Sequence, residues 1–124
     1  MGDINKDRDQ LTDKLTSLAS SLVKSDGNKT LLLEEKNATE NEIKELKDDL
    51  LYKTKYTYED ILDNTKYPEG KDPNLDAWRK EPKIIASLAD ISVQSDKLKK
   101  LETDYEKACQ EYENLKASYD EVSE

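Results

Sequence analysis

Few of the side chains that enzymes use for catalysis occur in this sequence. Histidine is absent and Cys109 is the only cysteine, which excludes a Ser–His–Asp or Cys–His arrangement, a disulfide within the chain and a thiolate metal cluster. The nearby carboxylates of Glu106, Glu111 and Glu113 disfavour the thiolate form of the cysteine. We therefore predict a non-catalytic chain with no catalytic, cofactor-binding or metal-binding residues. A reduced Cys109 favours an intracellular location, cytoplasmic or nuclear.

Acidic side chains are abundant, but their spacing does not match a cation site. Pairs such as Glu34-Glu35 and Asp48-Asp49 lack the ligand spacing and central glycine of an EF-hand. The net charge of −9 would repel nucleic acid and anionic membrane surfaces. No apolar run approaches the ~18 residues of a membrane span. We therefore expect protein partners, including self-association or pairing with another coiled-coil chain, and neither nucleic acid nor a membrane.

Four aromatic residues between residues 54 and 82 are the candidates for a protein-binding site. They are Tyr56, Tyr58, Tyr67 and Trp78. Tyrosine and tryptophan dominate the energetics of protein interfaces, which favours a binding site in this segment. The competing interpretation is a small local core that holds the segment together.

The elements that would position these side chains follow from composition and periodicity. Of the 124 residues 34% are apolar and 40% are charged, against about 45–50% and about 25% in ordinary domains, which excludes a large single core. Apolar side chains instead alternate at spacings of four and three residues, as in coiled coils. We call these a and d positions the seam. In the first long segment the apolar seam residues are Leu11, Leu15, Leu18, Leu22, Ile43, Leu46 and Leu50.

The middle of the first seam is polar, with Ser25, Lys29, Lys36 and Thr39 at seam positions. The run Ser25-Asp26-Gly27-Asn28 resembles a turn, and glycine costs about 1 kcal/mol inside a helix. However, the apolar blocks on either side keep the same register, and Gly27 falls on the outer face. We therefore favour one continuous helix over two helices folded back at Gly27.

Residues 54–82 lose the heptad pattern, and we call them the connector. Thr57-Tyr58-Glu59-Asp60 resembles a capping box and predicts a short helix over residues 58–64. Tyr67-Pro68-Glu69-Gly70 predicts a turn. Asp72-Pro73 predicts the start of a second short helix, Pro73–Lys80, and Pro82 is placed to open the next helix.

A second seam begins at residue 84 and continues to Val122. Three successive a positions are tyrosine, whose bulk and hydroxyl group do not suit a tight symmetric dimer. Because the seam reaches Val122 without a capping residue, we expect a fragment of a longer coiled-coil protein or pairing with another chain beyond this end. Its main residues are Ile91, Leu98, Leu101, Tyr105, Tyr112, Leu115 and Tyr119.

These segments predict a single all-α unit over residues 1–124, an elongated coiled coil. Two long helices, about 4–53 and 83–123 within segments 3–53 and 83–124, would be joined by the connector with its short helices. We favour an antiparallel hairpin within one chain, because it pairs Leu22 with Leu115, sets Ser25 opposite Tyr112 and lays the Lys29 stem on Ala108. A parallel homodimeric coiled coil and a compact three-helix bundle are the alternatives.

The predicted function is structural. We expect a non-catalytic coiled coil that acts as scaffold, tether or subunit of a larger protein complex, because the seams specify shape and no side chains assemble into a reactive group. The alternative is a compact helical adaptor or chaperone-like module that binds a protein partner through the aromatic residues of the connector.

Overall fold

The computed structural model describes residues 2–123 of the chain, and side chains from residue 6 onward. It contains four helices, α1 (Gly2–Thr54), α2 (Tyr58–Leu62), α3 (Pro73–Lys80) and α4 (Pro82–Ser123). The two long helices α1 and α4 pack against each other, and no strand occurs in the described range. The prediction of an all-α protein with two long helices is therefore confirmed.

Helix α1 runs without interruption through Gly27. A Cβ atom added at Gly27 would meet no atom within 4 Å, so the glycine lies on an open outer face. Continuing the helix keeps both apolar blocks of the seam in phase, and this outweighs the cost of one glycine. The continuous helix is therefore confirmed, and a fold-back at Gly27, as in the three-helix alternative, is excluded.

Burial along both long helices follows the heptad register. Every seam position from residue 15 to 50 in α1 and from residue 84 to 122 in α4 is buried or half-buried. Leu11, in contrast, is 53% exposed. Ser25 and Thr39, two of the polar seam residues, are buried at 7% and 3% exposure. The polar middle of the first seam therefore faces inward with the apolar blocks.

Contacts divide the chain into two compact units. Unit 1 comprises Met1–Glu35 and Leu101–Glu124, and unit 2 comprises Lys36–Lys100. Unit 2 contains an apolar core to which α1, α2, α3 and α4 all contribute. Its buried members are Ile43, Leu50, Ile61, Leu75, Ile84 and Ile91.

Local capping groups set the helix boundaries in the connector. The Thr57 side chain accepts a hydrogen bond from the Asp60 amide, and Asp72 accepts from the amides of Asn74 and Leu75. The predicted bounds of α3 are confirmed, and α4 begins at Pro82, one residue before the predicted bound of 83 and at the proline that was placed to open it.

Two boundaries in the connector differ from those predicted. Helix α2 ends at Leu62 and not at residue 64, because the Asp63 carboxylate accepts from the amides of Thr65 and Lys66 and turns the chain. The turn hydrogen bond runs from the Lys71 amide to the Pro68 carbonyl, one residue later than predicted. Gly70 has φ of +88°, which side-chain-bearing residues rarely adopt, and this fixes the turn at that residue.

Candidate functional site

The four aromatic residues of the candidate binding site all lie against the core of unit 2. Tyr56, Tyr58, Tyr67 and Trp78 are half-buried and pack on its apolar side chains. The rings of Tyr56 and Tyr67 meet edge to face, with centroids 6.3 Å apart and planes at 81°. Trp78 lines a cavity of about 290 Å³ together with Asn74, Ala77 and Glu81. The structure therefore places part of each ring in the local core.

Tyr56 joins the residues after α1 to the start of α3. Its hydroxyl donates a hydrogen bond to Asp72 Oδ2 at 2.6 Å, while Asp72 Oδ1 accepts from the first amides of α3. This hydrogen bond is the main reason that the pKa of Tyr56 rises to about 12. The same bond lowers the pKa of Asp72. One carboxylate therefore caps a helix and anchors an aromatic residue of the candidate site.

Arg79 holds the irregular part of the connector in place, and sequence reasoning did not identify it. Its Nε donates to the Ile61 carbonyl at 2.8 Å and its Nη1 to the Tyr67 carbonyl at 2.7 Å. Its Nη2 lies 3.4 Å from the carbonyl oxygens of Asp60 and Asp63. A signal was present, because the connector contains one arginine among several lysines, and arginine is the residue suited to binding several oxygens at fixed angles.

Lysine side chains surround the tyrosine rings of the connector. Lys47 Nζ lies 2.9 Å from Glu59 Oε1 and 5.1 Å from the centroid of the Tyr58 ring. The hydrogen bond from Lys47 is the main cause of the lowered pKa of Glu59. Lys66 Nζ is 5.3 Å from the Tyr67 centroid and bonds Asp60 at 3.1 Å. These cations cover ring faces that a partner would otherwise contact.

The predicted seam residues are found in both units. Ile43, Leu50, Ile91 and Leu101 are buried, and Leu11 is exposed. The others are half-buried, namely Leu15, Leu18, Leu22, Leu46, Leu98, Tyr105, Tyr112, Leu115 and Tyr119.

The ammonium group of Lys29 lies on a tyrosine ring of unit 1. Its Nζ is 4.2 Å from the centroid of the Tyr112 ring, and the expected contact of its stem with Ala108 stays a prediction. The ring is one helical turn further along α4 than Ala108, within reach of the flexible lysine stem, and its face attracts the ammonium group. Two turns before Tyr112, the hydrogen bond with the Cys109 side chain raises the pKa of Tyr105.

The described residues offer no group of three or more cysteine or carboxylate side chains placed to hold a metal ion. In the same part of the chain, no helix is long and apolar enough to cross a membrane. No protein family model, curated protein or solved structure matches this sequence.

Proposed function

We propose that this chain is a non-catalytic assembly subunit, a scaffold or tether whose long helices pair as an antiparallel coiled-coil hairpin. The observation that carries the proposal is that every seam position from residue 15 to 50 and from 84 to 122 is buried or half-buried. Coiled coils require such a pattern, and a pair of long packed helices is suited to holding other proteins at a set distance. The connector then serves to reverse the chain direction.

The cavities of unit 1 support an antiparallel pairing. One cavity is lined by Ser21 and Ser25 of α1 together with Leu115 of α4. The adjoining cavity is lined by Leu32 of α1 together with Ala108 of α4. Residue numbers thus rise along α1 as they fall along α4, which is the order that the hairpin requires.

The polar contacts of the connector support a structural role for it. The guanidinium of Arg79, the hydroxyl of Tyr56 and the ammonium of Lys47 are all engaged by groups within unit 2. Polar groups that already have hydrogen-bond partners inside the chain contribute less binding free energy to a complex with another protein.

Two engineered disulfides test the hairpin, one in each unit. In a Cys109→Ser background, Leu22→Cys with Leu115→Cys and Leu46→Cys with Ile91→Cys should each form a bond within one chain. Val23→Cys with Leu115→Cys is the matched control, because Val23 is adjacent to Leu22 but 73% exposed. Bonds between chains in place of bonds within one chain would support the parallel homodimer and contradict the proposal.

The adaptor alternative is favoured by one observation, the cavity beside the half-buried Trp78. Proteins that co-purify with the full chain from its source cells distinguish the two functions. A scaffold that uses its helices should keep these proteins in the Trp78→Ala variant, whereas an adaptor should lose them. Tyr52→Ala is the surface control, because Tyr52 is 76% exposed, and circular dichroism confirms folding in each case.

A further inference from the structure

A groove runs along one side of the seam in unit 1. It consists of two adjoining cavities of about 300 and 340 Å³ between residues 21–32 of α1 and residues 104–115 of α4, together with a third of about 390 Å³ that adjoins them and is lined by residues 107–118 of α4 alone. Neighbouring cavities share Asn28, Lys107, Glu111 and Leu115. We call this feature the unit 1 groove.

The floor of the unit 1 groove is formed by the seam itself. Ser25, Leu32, Ala108 and Leu115 are d positions that line its cavities. Two of these residues are small, so neither helix fills the space between the apolar residues. Leu32 and Leu115 remain half-buried. The groove is therefore a continuation of the helix–helix interface, with apolar surface still open on one side.

A buried hydroxyl in the floor also lacks a hydrogen-bond partner. Ser25 is 7% exposed, and its Oγ has no partner in the chain. Buried polar groups are nearly always paired in native structures, so this hydroxyl leaves a hydrogen bond unmade in the floor of the groove.

The charge of unit 1 determines the kind of occupant. Its sequence contains fifteen acidic and seven basic side chains, and so carries most of the net charge of −9 of the chain. A second copy would bring the same negative charge and be repelled, whereas a basic helix would be attracted. Inside the groove the two carboxylates, Asp104 and Glu111, are matched in number by the ammonium groups of Lys24 and Lys107. The attraction for a basic helix therefore comes from the other carboxylates of unit 1.

From these observations we propose that the unit 1 groove binds an amphipathic helix of a partner protein, with an apolar stripe flanked by lysine or arginine. The stripe would lie on Leu32, Ala108 and Leu115, as in other helix-in-groove complexes. About 14 residues of helix span the ~21 Å that residues 104–118 cover. The inference rests on the proposed function as an assembly subunit and names its class of partner.

Peptide binding to the full chain tests this proposal. The probe is a fluorescein-labelled peptide of three heptads with leucine at a, alanine at d and lysine or glutamine elsewhere, and binding is read by fluorescence anisotropy at physiological salt. A scrambled peptide of the same composition is the first control. We expect the ordered peptide to bind at least about tenfold more tightly than the scrambled one, because only it presents an apolar stripe.

Two pairs of arginine substitutions separate the groove from general attraction between opposite charges. Asn28→Arg with Ser118→Arg places two cations at exposed positions in the groove, and Ser20→Arg with Ala117→Arg places two on exposed outer faces of the same helices. Both pairs change the net charge equally. The groove pair should weaken ordered-peptide binding by about tenfold or more, and the outer pair by about twofold at most.

Equal weakening by both pairs, or equal binding of the two peptides, would overturn the proposal. Concentration-dependent dimerisation of the chain that the groove pair abolishes would overturn it in favour of a second copy as the occupant. If the disulfide between positions 22 and 115 forms within one chain and the ordered peptide does not bind, this inference fails while the hairpin stands. Failure of that disulfide would count against the proposed function itself.

Discussion

Arg79 contacts four carbonyl oxygens from two stretches of the connector. A lysine at this position could not do the same, because its ammonium is a single point of charge, whereas guanidinium nitrogens lie in a fixed plane. Ile61 lies in the short helix α2, and Tyr67 lies in the irregular segment between α2 and α3. A single side chain therefore joins the stretch of residues 60–63 to Tyr67 of the candidate aromatic site.

Replacing Arg79 should destabilise the protein more than replacing its neighbour. We expect Arg79→Lys to lower the free energy of unfolding by about 2 kcal/mol, because carbonyl groups that accept from a charged donor are left with fewer bonds. The exposed Lys80→Met is the control and should change it by less than about 0.5 kcal/mol. Urea denaturation followed by circular dichroism measures both, and equal effects would contradict this role of Arg79.

The bond between Tyr56 and Asp72 should be visible in a pH titration. In the folded chain the pKa of Tyr56 is raised to about 12. The protonated hydroxyl therefore stabilises the folded state fully below the ordinary tyrosine pKa, and this stabilisation is lost as the pH rises toward 12. The pKa of Asp72 is lowered, so the stabilisation from its charged form is present above the ordinary aspartate pKa and is lost on acidification. The bond is therefore intact across the neutral range.

Ultraviolet difference titration isolates this tyrosine. Subtracting the Tyr56→Phe curve from that of the unmodified chain should leave one group that ionises near pH 12. In Asp72→Asn that group should ionise closer to about pH 10. Asparagine still caps α3, so the helix is preserved in the test. An unchanged titration in Asp72→Asn would refute the assignment.

At the level of elements, the sequence predicted those helices and helix boundaries that depend on residues close together in the chain. The seam phase identified both long helices, and the Asp72-Pro73 pair identified the start of α3. The end of α2 depends on the Asp63 carboxylate, and the contacts of Arg79 join residues 16 to 19 apart in sequence to Asp60, Ile61 and Asp63. Such contacts exist only after the chain has folded, so a periodic pattern does not contain them.

The continuity of α1 through Gly27 leads to a prediction on that glycine. Gly27→Ala should raise the free energy of unfolding by about 1 kcal/mol, because alanine has a higher helix propensity and its Cβ meets no atom within 4 Å. The control is Gly70→Ala, which also has open space but a φ of +88°. It should destabilise the chain, since alanine is strained there. Thermal unfolding of both variants decides, and stabilisation by Gly70→Ala would contradict the argument.

At the level of the whole molecule, composition restricted the chemistry but not the location of a binding surface. The absence of histidine and the single cysteine follow from the sequence, as does the expectation that nucleic acid is no partner. The unit 1 groove could not be inferred in this way, because it depends on which small residues of two distant segments come together. Ser25 and Ala108 are separated by more than half of the chain and line adjoining cavities.

The uneven distribution of charge leads to a prediction on salt. Unit 1 carries most of the net charge of −9, so repulsion among its carboxylates opposes folding at low ionic strength. Raising sodium chloride from ~0.02 M to ~0.5 M should raise the melting temperature by about 4 °C, because salt screens this repulsion.

Neutralising exposed carboxylates of unit 1 should act in the same direction as salt. The variant with Asp7→Asn, Glu106→Gln and Glu113→Gln removes three exposed negative charges. It should melt higher than the unmodified chain at low salt and respond less to added salt, because less repulsion remains to be screened. A melting temperature that falls with salt would instead mean that attractive ion pairs dominate, and a basic partner helix would then gain less from the charge of unit 1.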